Sequence, residues 1–399
     1  MESTQKQQST FRRKNQEPPF IRYLYRKAAA TGTPLSGTFE LTPRCNFDCK
    51  MCYVHLTKGQ QCERGRELTA DEWLSIADDA VRSGLVILLV TGGEPLLRPD
   101  FKEIFRTLNG MGLVTGVNTN GSLIDDDMIS FFKCYTPNRM NISLYGASPE
   151  TYERLCGNAD GFYKTIRAIK KLAENNIPTK INLSVTPYNV DDVEAVFEIA
   201  TELGKRVQIA SYMFPPIRRS HDLIGYGDRL SPEEAARIKV RVQSIRTDDE
   251  AFLNLCKSVM DGVRVIDEDA ECMDVPTLED ATPTEHIRCR AGSTSYWLTW
   301  DGRMLPCGMM ETPSASVLEL GFKEAWKRVA MGTKQIFLPP KCTSCDKRFA
   351  CEVCSASCYC ETGAFDKDAP KYHCEFTKHY IKLIGAEYER LTALLGSDK

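Results

Sequence analysis

The chain has 399 residues, of which 26% are charged and 42% hydrophobic, and its formal net charge is −3. This composition is typical of a globular protein of two or three domains, and the charge gives no reason to expect nucleic acid as a partner. The longest aliphatic run, Leu85 to Val90, is too short to cross a membrane, and the N-terminus lacks the apolar segment of a signal peptide. We therefore expect a cytoplasmic protein without a membrane partner.

Residues 1–35 are polar and basic, and we expect them to form a solvated arm. Between residues 36 and 265, short β-rich runs alternate with helical patterns, which predicts a parallel sheet with right-handed crossovers. Because six units are too few for a closed eight-fold barrel, we expect an α/β fold with a partial (β/α)6 barrel. The predicted strands are 38–42, 85–91, 113–117, 139–145, 180–186 and 207–211.

Helix starts are marked by a capping box at Thr69-x-x-Glu72 and by Ser231-Pro232-Glu233-Glu234. After residue 265 the alternation stops, and Asp301-Gly302 predicts a hairpin. We expect residues 266–376 to form a small cysteine-rich α+β domain held by metal, and residues 377–399 to form a terminal helix.

Cysteine is the unusual component of this sequence. There are 17 cysteines without a secretion signal, and in a reducing compartment these are more often metal ligands or catalytic thiols than disulfides. They also cluster, with three between Cys45 and Cys52 and seven between Cys342 and Cys374. Three others, in helical contexts, are interpreted as small buried apolar residues: Cys134, Cys156 and Cys256.

The first cluster follows the first predicted strand as Cys45-Asn-Phe-Asp-Cys49-Lys-Met-Cys52. Three thiolates can hold three irons of a [4Fe–4S] cluster and leave the fourth iron open. The alternative is zinc, with Cys62 or His55 as a fourth ligand.

Gly92-Gly93-Glu94-Pro95 directly follows the second predicted strand. Its glycines allow the backbone to approach a ligand closely, and its carboxylate can receive an ammonium group.

Together, the C-x3-C-x2-C spacing and the Gly-Gly-Glu-Pro sequence resemble the radical S-adenosylmethionine (SAM) superfamily. The resemblance implies that a [4Fe–4S] cluster binds SAM, and that an electron from an external donor such as flavodoxin or ferredoxin cleaves SAM to methionine and a 5′-deoxyadenosyl radical. That radical would take a hydrogen atom from a substrate. Met51 stands where the family usually has an aromatic residue. The implied cofactor contacts are Gly92, Gly93, Glu94, Pro95, Asn118, Asn120, Ser143 and Arg154.

The later cysteines resemble the SPASM extension, a C-terminal domain that binds auxiliary [4Fe–4S] clusters. The resemblance implies one or two such clusters. Its matching elements are Cys289-x12-Gly302-x4-Cys307 and Cys342-x2-Cys345-x5-Cys351-x2-Cys354, followed by Cys358, Cys360 and Cys374. By this resemblance, one cluster is held by Cys342, Cys345, Cys351 and Cys374. The other is held by Cys289, Cys307 and Cys354, with Cys272, Cys358, Cys360 or no protein atom as the fourth ligand. Two zinc knuckles are the alternative.

Three functions remain open on the sequence. The first is a radical enzyme that forms a bond or inverts a centre in a ribosomally made peptide, and the second is the same chemistry on a small molecule such as a haem or quinone-cofactor precursor. The third is a zinc-binding interaction protein without catalysis. No proton donor can be assigned. A loop after the sixth strand carries Arg218, His221, Asp222 and Tyr226 and could face the barrel mouth, but we favour the interpretation that it is solvent-facing.

Overall fold

The computed structural model of the chain describes residues 18–264, 287 and 289–396. Its strands are β1 (Ser36–Glu40), β2 (Ile87–Thr91), β3 (Val114–Thr119), β4 (Arg139–Ser143), β5 (Thr179–Ser184), β6 (Val207–Ala210), β7 (Ser295–Leu298), β8 (Arg303–Leu305) and β9 (Ala315–Ser316).

Its helices are α1 (Pro19–Thr31), α2 (Lys58–Arg64), α3 (Ala70–Arg82), α4 (Phe101–Gly110), α5 (Asp126–Cys134), α6 (Pro149–Cys156), α7 (Asp160–Glu174), α8 (Val193–Glu202), α9 (Pro232–Arg246), α10 (Asp249–Met260), α11 (Val317–Leu320), α12 (Phe322–Thr333), α13 (Pro340–Thr343), α14 (Ser355–Thr362) and α15 (Lys371–Gly396). Short 3-10 turns occupy Pro95–Leu97, Val190–Asp192 and His221–Leu223. Both predicted capping boxes are present, at the starts of α3 and α9.

One sheet contains all the described strands, in the order β6-β5-β4-β3-β2-β1-β7-β8-β9. The pairs from β1 to β6 are all parallel, which confirms the predicted partial barrel. The predicted hairpin is also present, because β7 and β8 pair in antiparallel fashion on either side of Asp301-Gly302.

The hairpin joins the barrel sheet rather than forming a sheet of its own, which the sequence did not predict. Strand β7 pairs in parallel with β1, with Ser36 opposite Ser295 and Phe39 opposite Leu298. The first strand of the barrel therefore has a parallel neighbour on each side, β2 and β7.

The two faces of the barrel strands differ in polarity. Apolar side chains such as Phe39, Val90 and Ile142 belong to one core that also includes residues of the surrounding helices. Side chains alternate between faces along a strand, so the opposite face carries polar groups such as Glu40 and Asn118. The barrel is thus lined with groups that can bind a polar cofactor or substrate.

The expected solvated arm is wrong for the part that the structure describes. Residues 19–31 form helix α1, whose Tyr25 and Ala28 are buried against Leu35. The indole of Trp326 donates a hydrogen bond to the carbonyl of Gly32 at 2.7 Å and holds the helix end against α12.

The terminal helix starts earlier than predicted, at Lys371, and packs against α9 and α10. Tyr372 donates to the carbonyl of Leu230 at 2.9 Å, and Tyr380 donates to the side chain of Gln243 at 3.2 Å. The helix thereby fastens the end of the chain to the last helices of the barrel. Within the described ranges, no helix is both long and apolar enough to span a bilayer.

Candidate active site

The loop that carries Cys45, Cys49 and Cys52 follows β1 and lies at the end of helix α6. The amides of Asp48 and Lys50 donate to the carbonyls of Cys156 and Leu155 at 2.9 and 3.0 Å. The last carbonyls of a helix have no partner within the helix. The cysteine loop therefore caps α6, and α6 fixes the position of the loop.

Hydrogen-bond donors point at two of the three sulfurs. The amide of Phe47 lies 3.4 Å from Cys45 Sγ, and the amide of His55 lies 3.3 Å from Cys52 Sγ. Asn120 Nδ2 lies 3.8 Å from Cys45 Sγ. Such donors stabilise thiolates and tune the potential of an iron–sulfur cluster. Three thiols on one loop, two of them with amide donors at their sulfurs, suit a cluster with an open iron.

Asn120 holds the cysteine loop against the end of β3. Its Nδ2 donates to Asn46 Oδ1 at 2.9 Å, and its Oδ1 accepts from the amide and hydroxyl of Ser122 at 2.9 and 2.6 Å. Asn46 in turn donates to the Ser122 hydroxyl at 2.8 Å. The predicted cofactor contact Asn120 is therefore also a support for the residue next to Cys45.

Gly92 and Gly93 bring β2 close to the cysteine loop. A Cβ on Gly92 would lie 2.7 Å from the carbonyl oxygen of Thr42, and one on Gly93 would lie 2.4 Å from that of Arg44. The amides of Gly93 and Glu94 donate to those same two carbonyls at 2.7 and 2.8 Å. The sequence predicts that these glycines make room for a ligand, whereas in the structure they make room for the loop that bears the cysteines.

Glu94 is fully buried, and its carboxylate is fixed by three donors. Oε1 accepts from the Thr119 hydroxyl at 2.7 Å and from the Leu96 amide at 3.1 Å, and Oε2 accepts from the Asn120 amide at 2.8 Å. Since a carboxylate can accept about four hydrogen bonds, Oε2 retains capacity for a further donor.

No described cation pairs with the Glu94 carboxylate in this network. Burial raises its pKa to about 7, against the opposing effect of the three donors. A buried carboxylate in this state is stabilised by an incoming ammonium group, such as that of an amino-acid cofactor, so the site fits SAM.

The remaining predicted cofactor contacts lie farther apart from one another. Asn118 Oδ1 accepts from Asn141 Nδ2 at 2.7 Å inside the barrel. Arg154 is exposed and donates to the Thr151 hydroxyl at 3.2 Å and to the carbonyl of Tyr188 at 3.1 Å. Ser143, at the end of β4, accepts through its carbonyl from Tyr152 at 3.4 Å. The cofactor roles of these three residues stay predictions.

The structure gives no support to zinc at the first cluster. His55 Nδ1 lies 3.3 Å from Asp48 Oδ1, and Cys62 is exposed on α2. Within residues 18–264, 287 and 289–396, no group of three or more His, Cys, Asp or Glu side chains is placed to hold a single metal ion. A tetrahedral zinc ion draws its sulfur ligands to about 2.3 Å from one point, whereas a cluster of four irons holds them farther apart.

A buried ion pair, which the sequence did not predict, lies at the same end of β1. Arg218 Nη1 and Nη2 each lie 2.9 Å from an oxygen of Glu40, and the indole of Trp297 donates to Glu40 Oε2 at 2.7 Å. Arg218 also donates to the carbonyl of Gly308 at 3.1 Å. A charged residue within an otherwise β-rich run was the only sequence signal for Glu40.

The loop after β6 is therefore not simply solvent-facing. That interpretation is wrong for Arg218, which is buried, whereas Asp222 and Tyr226 are exposed as expected. Arg219 donates to the carbonyl of Cys52 at 3.1 Å, and His221 Nε2 lies 2.9 Å from Glu311 Oε2. The amide of Gly225 in the same loop donates to the carbonyl of Cys360 at 2.9 Å, so the loop touches both cysteine systems.

The later cysteines fall into two groups. Cys342, Cys351 and Cys358 pack with Leu338 and Val353. A hydrogen bond from Cys358, against the effect of burial, lowers the pKa of the Cys342 thiol to about 7. Cys374 lies near this group, because the charges of Cys342, Cys351 and Cys345 act on its thiol.

The second group contains Cys307 and Cys354, which pack around Met310, Ile336 and Ala356. Burial raises the pKa of Cys360, and the charges of Cys354 and Cys307 raise it further, which places Cys360 beside this group. Cys289 is partly exposed, and Cys272 lies outside the described residues. The ligand roles of these cysteines stay predictions.

The three cysteines expected to be small buried residues differ from one another. Cys156 and Cys256 are buried as predicted, but Cys134 is exposed at the end of α5, so that prediction is wrong. The thiol of Cys156 is in hydrogen-bond contact with that of Cys49. Cys156 therefore packs directly against the first cysteine cluster.

Comparisons with known proteins agree with this geometry. Residues 39–200 match the family described as the radical SAM superfamily. The chain is 26% identical over 347 residues to the AdoMet-dependent heme synthase of Methanosarcina barkeri, covering 86% of this chain and 97% of the relative. It is also 26% identical over 331 residues to the PqqA peptide cyclase of Ruegeria pomeroyi, covering 79% and 80%.

The fold is similar to that of native anSMEcpe with bound AdoMet and the Cp18Cys peptide, with a TM-score of 0.64 and 17% identity. That likeness covers 92% of this chain and 100% of the other. The cysteine-rich C-terminal region is thus part of the shared fold. Residues 39–200 therefore match the radical SAM superfamily, and the chain has SPASM-type relatives over most of its length.

Proposed function

We propose that this enzyme modifies a ribosomally made peptide, either by forming a new bond or by inverting a centre, after hydrogen abstraction. The observation that supports this most is the likeness of fold, over 92% of the chain, to a radical SAM enzyme whose structure holds both AdoMet and a peptide. The peptide cyclase of R. pomeroyi is a relative in sequence as well.

The residues at the end of β1 would hold and orient the cofactors. Cys45, Cys49 and Cys52 would bind a [4Fe–4S] cluster, and Glu94 would accept the ammonium group of SAM. When bound, the cluster and SAM would supply the radical that abstracts hydrogen from the substrate. Asn120 keeps the cysteine loop in place, and burial of Glu94 keeps water from competing for the ammonium group.

A small-molecule substrate is the second candidate. The M. barkeri heme synthase is matched over 97% of its length and 86% of this chain. On this alternative, a haem precursor would take the place of the peptide in the polar barrel. The electron donor would in either case be an external protein such as flavodoxin or ferredoxin.

Anaerobic incubation with SAM and a strong reductant distinguishes the peptide substrate from the small-molecule substrate. The enzyme is incubated with short peptides encoded beside its gene and, separately, with haem precursors. Each carries deuterium at the carbon from which hydrogen would be abstracted. We expect deuterium to appear in 5′-deoxyadenosine with one of the peptides, and the peptide to lose two hydrogen atoms or to exchange one at a stereocentre, as read by mass spectrometry.

Transfer of deuterium from a haem precursor, with loss of carbon dioxide, would replace the peptide proposal by the second candidate. Cleavage of SAM without transfer from either class would contradict both. A protein with Cys45, Cys49 and Cys52 all changed to alanine is the control, because neither cleavage nor transfer is expected from it.

A further inference from the structure

Helix α14 presents two cysteines in different directions. Cys358 and Cys360 are two residues apart, which turns their side chains by roughly 200° about the helix axis. Both are fully buried. Because the two side chains point to different sides of the helix, Cys358 and Cys360 cannot both be ligands of the same metal site.

Cys358 faces the group around Cys342. Its side chain packs with Leu338 and Val353, and the Cys342 thiol is the strongest influence on its thiol, while the charge of Cys354 also acts on it. It therefore lies beside a group that already has four thiols: Cys342, Cys345, Cys351 and Cys374.

Cys360 faces the other group. Its Sγ lies 3.2 Å from the carbonyl oxygen of Met309, two residues after Cys307. Cys354 precedes the same helix as its N-cap residue. The thiol of Cys360 is therefore enclosed by the two segments that carry Cys307 and Cys354.

The sulfurs of Cys307 and Cys354 are held in the same way as those of the first cluster. The Met309 amide lies 3.5 Å from Cys307 Sγ, and the Ser357 amide lies 3.4 Å from Cys354 Sγ. These contacts span two and three residues, as they do at Cys45 and Cys52. Hydrogen bonds of this kind to the sulfurs are among the contacts that tune a bound iron–sulfur cluster.

The backbone around Cys360 is fixed from the barrel side. Its carbonyl accepts from the amide of Gly225 at 2.9 Å. The next residue, Glu361, accepts from the Tyr212 hydroxyl at 2.6 Å and from Arg229 Nη2 at 3.1 Å. The thiol is thus placed by the loop after β6 and not by α14 alone.

We propose that Cys360 is the fourth protein ligand of the auxiliary cluster bound by Cys289, Cys307 and Cys354, and that Cys358 ligates no iron. The inference rests on the proposed function only in that it takes the later cysteines to hold [4Fe–4S] clusters. Four protein ligands leave no iron open, so this cluster would transfer electrons and would not bind the substrate directly.

The test uses the full-length chain with Cys45, Cys49 and Cys52 changed to alanine, so that only auxiliary clusters contribute. Cys360→Ala, Cys360→Ser, Cys358→Ala and Cys272→Ala are added separately, and each protein is reconstituted anaerobically. Iron and sulfide content, Mössbauer spectra and electron paramagnetic resonance after mild oxidation are measured, with circular dichroism as the check on folding.

We expect Cys360→Ala to lose about four irons or to form a [3Fe–4S] cluster on mild oxidation, because an iron without a thiolate is released most easily. Cys360→Ser should keep the fold and show a shifted Mössbauer signal from one iron. Cys358→Ala and Cys272→Ala should match the parent protein.

An unchanged spectrum in both Cys360 variants would overturn the proposal, as would the expected changes appearing in Cys272→Ala or Cys358→Ala instead. A parent protein without iron would overturn it too. None of these readouts uses a peptide, so failure of the peptide proposal leaves them unaffected.

Discussion

At the scale of single residues, Glu94 is the proposed contact between the fold and the cofactor. Its carboxylate is buried, fixed by donors from β3 and the Pro95–Leu97 turn, and has no described cationic partner in that network. We expect Glu94→Ala to weaken SAM binding by about 1.5–3 kcal/mol, the usual range for a hydrogen bond to a charged group. The first cluster should remain, because Glu94 contacts no sulfur through a hydrogen bond in the structure. Calorimetry alongside iron content measures both, and unchanged affinity would remove Glu94 from the cofactor site.

The same carboxylate predicts how SAM binding depends on pH. Burial raises the pKa of Glu94 to about 7, so below that pH the free protein carries a proton there, which an ammonium ligand must displace. SAM affinity should therefore fall by up to about tenfold per pH unit below the pKa and level off above it. The Glu94→Gln variant should bind more weakly at high pH and show no such slope. A parallel slope in both proteins would assign the titration to another group.

At the scale of elements, the close packing of β2 on the cysteine loop depends on Gly93. A Cβ there would lie 2.4 Å from the carbonyl oxygen of Arg44, and backbone does not yield easily. We expect Gly93→Ala to lower both iron retention at the first cluster and SAM affinity, with a loss of stability of about 1–3 kcal/mol.

Gly110→Ala is the matched control for this substitution. Gly110 ends helix α4 with nothing within 4 Å of its added Cβ, so the change should be neutral or slightly stabilising. Iron analysis and thermal unfolding under anaerobic conditions compare the two. Equal iron retention and equal thermal stability in the two variants would show that the close contact between β2 and the cysteine loop is not needed for the site.

The ion pair between Glu40 and Arg218 joins β1 to the loop after β6. Arg218→Met would leave Glu40 buried without its partner, and breaking such a pair costs about 3–5 kcal/mol. Changing Glu40 to Gln in the same protein should recover part of this loss, because the unpaired charge is removed.

A suitable comparison is the exposed pair of Arg237 and Glu233 on α9, where Arg237→Met should cost no more than about 1 kcal/mol. Denaturant unfolding of the four proteins tests this. Similar costs at the two arginines would mean that the buried pair contributes no more than a surface one.

At the scale of the whole molecule, the elements could be predicted far better than their neighbours in space. The strand and helix pattern, both capping boxes and the hairpin are all present, because local periodicity and turn residues determine them. The position of β7 beside β1 depends on pairing across some 260 residues of chain, which no local pattern records. The burial of α1 and of Arg218 was missed for the same reason, since basic residues usually indicate exposed surface and their partners lie far along the sequence.

In the candidate site, too, one part could be predicted from local sequence and another part could not. The three cysteines and the Gly-Gly-Glu-Pro sequence form one site, because each follows a neighbouring parallel strand and such ends meet at one edge of a sheet. The grouping of the later cysteines is different, since it depends on which face of α14 each one occupies. Spacing could not choose between Cys358 and Cys360, whereas the helix orientation separates them.

The group around Cys307 is attached to the barrel more firmly than the group around Cys342. This difference predicts which auxiliary cluster can be lost while SAM cleavage continues. The segment of Cys307 is fastened to β1, because Gly308 accepts from Arg218 and strand β7 pairs with β1. The group around Cys342 has its own small core of Leu338, Val353 and the cysteines themselves.

We therefore expect Cys342→Ala or Cys345→Ala to abolish substrate modification while leaving part of the reductive cleavage of SAM. Losing a ligand should unfold the segment around these cysteines, because metal binding supplies much of its folding free energy, whereas the barrel has a core of its own. Production of 5′-deoxyadenosine and of modified substrate is followed together under strong reductant, with Cys134→Ala, an exposed cysteine on α5, as the control. If both products vanish while the first cluster stays intact, the two tasks depend on each other, and the smaller core is needed for cleavage itself. If both persist, the cluster assigned to Cys342 and Cys345 is dispensable and its assignment is wrong.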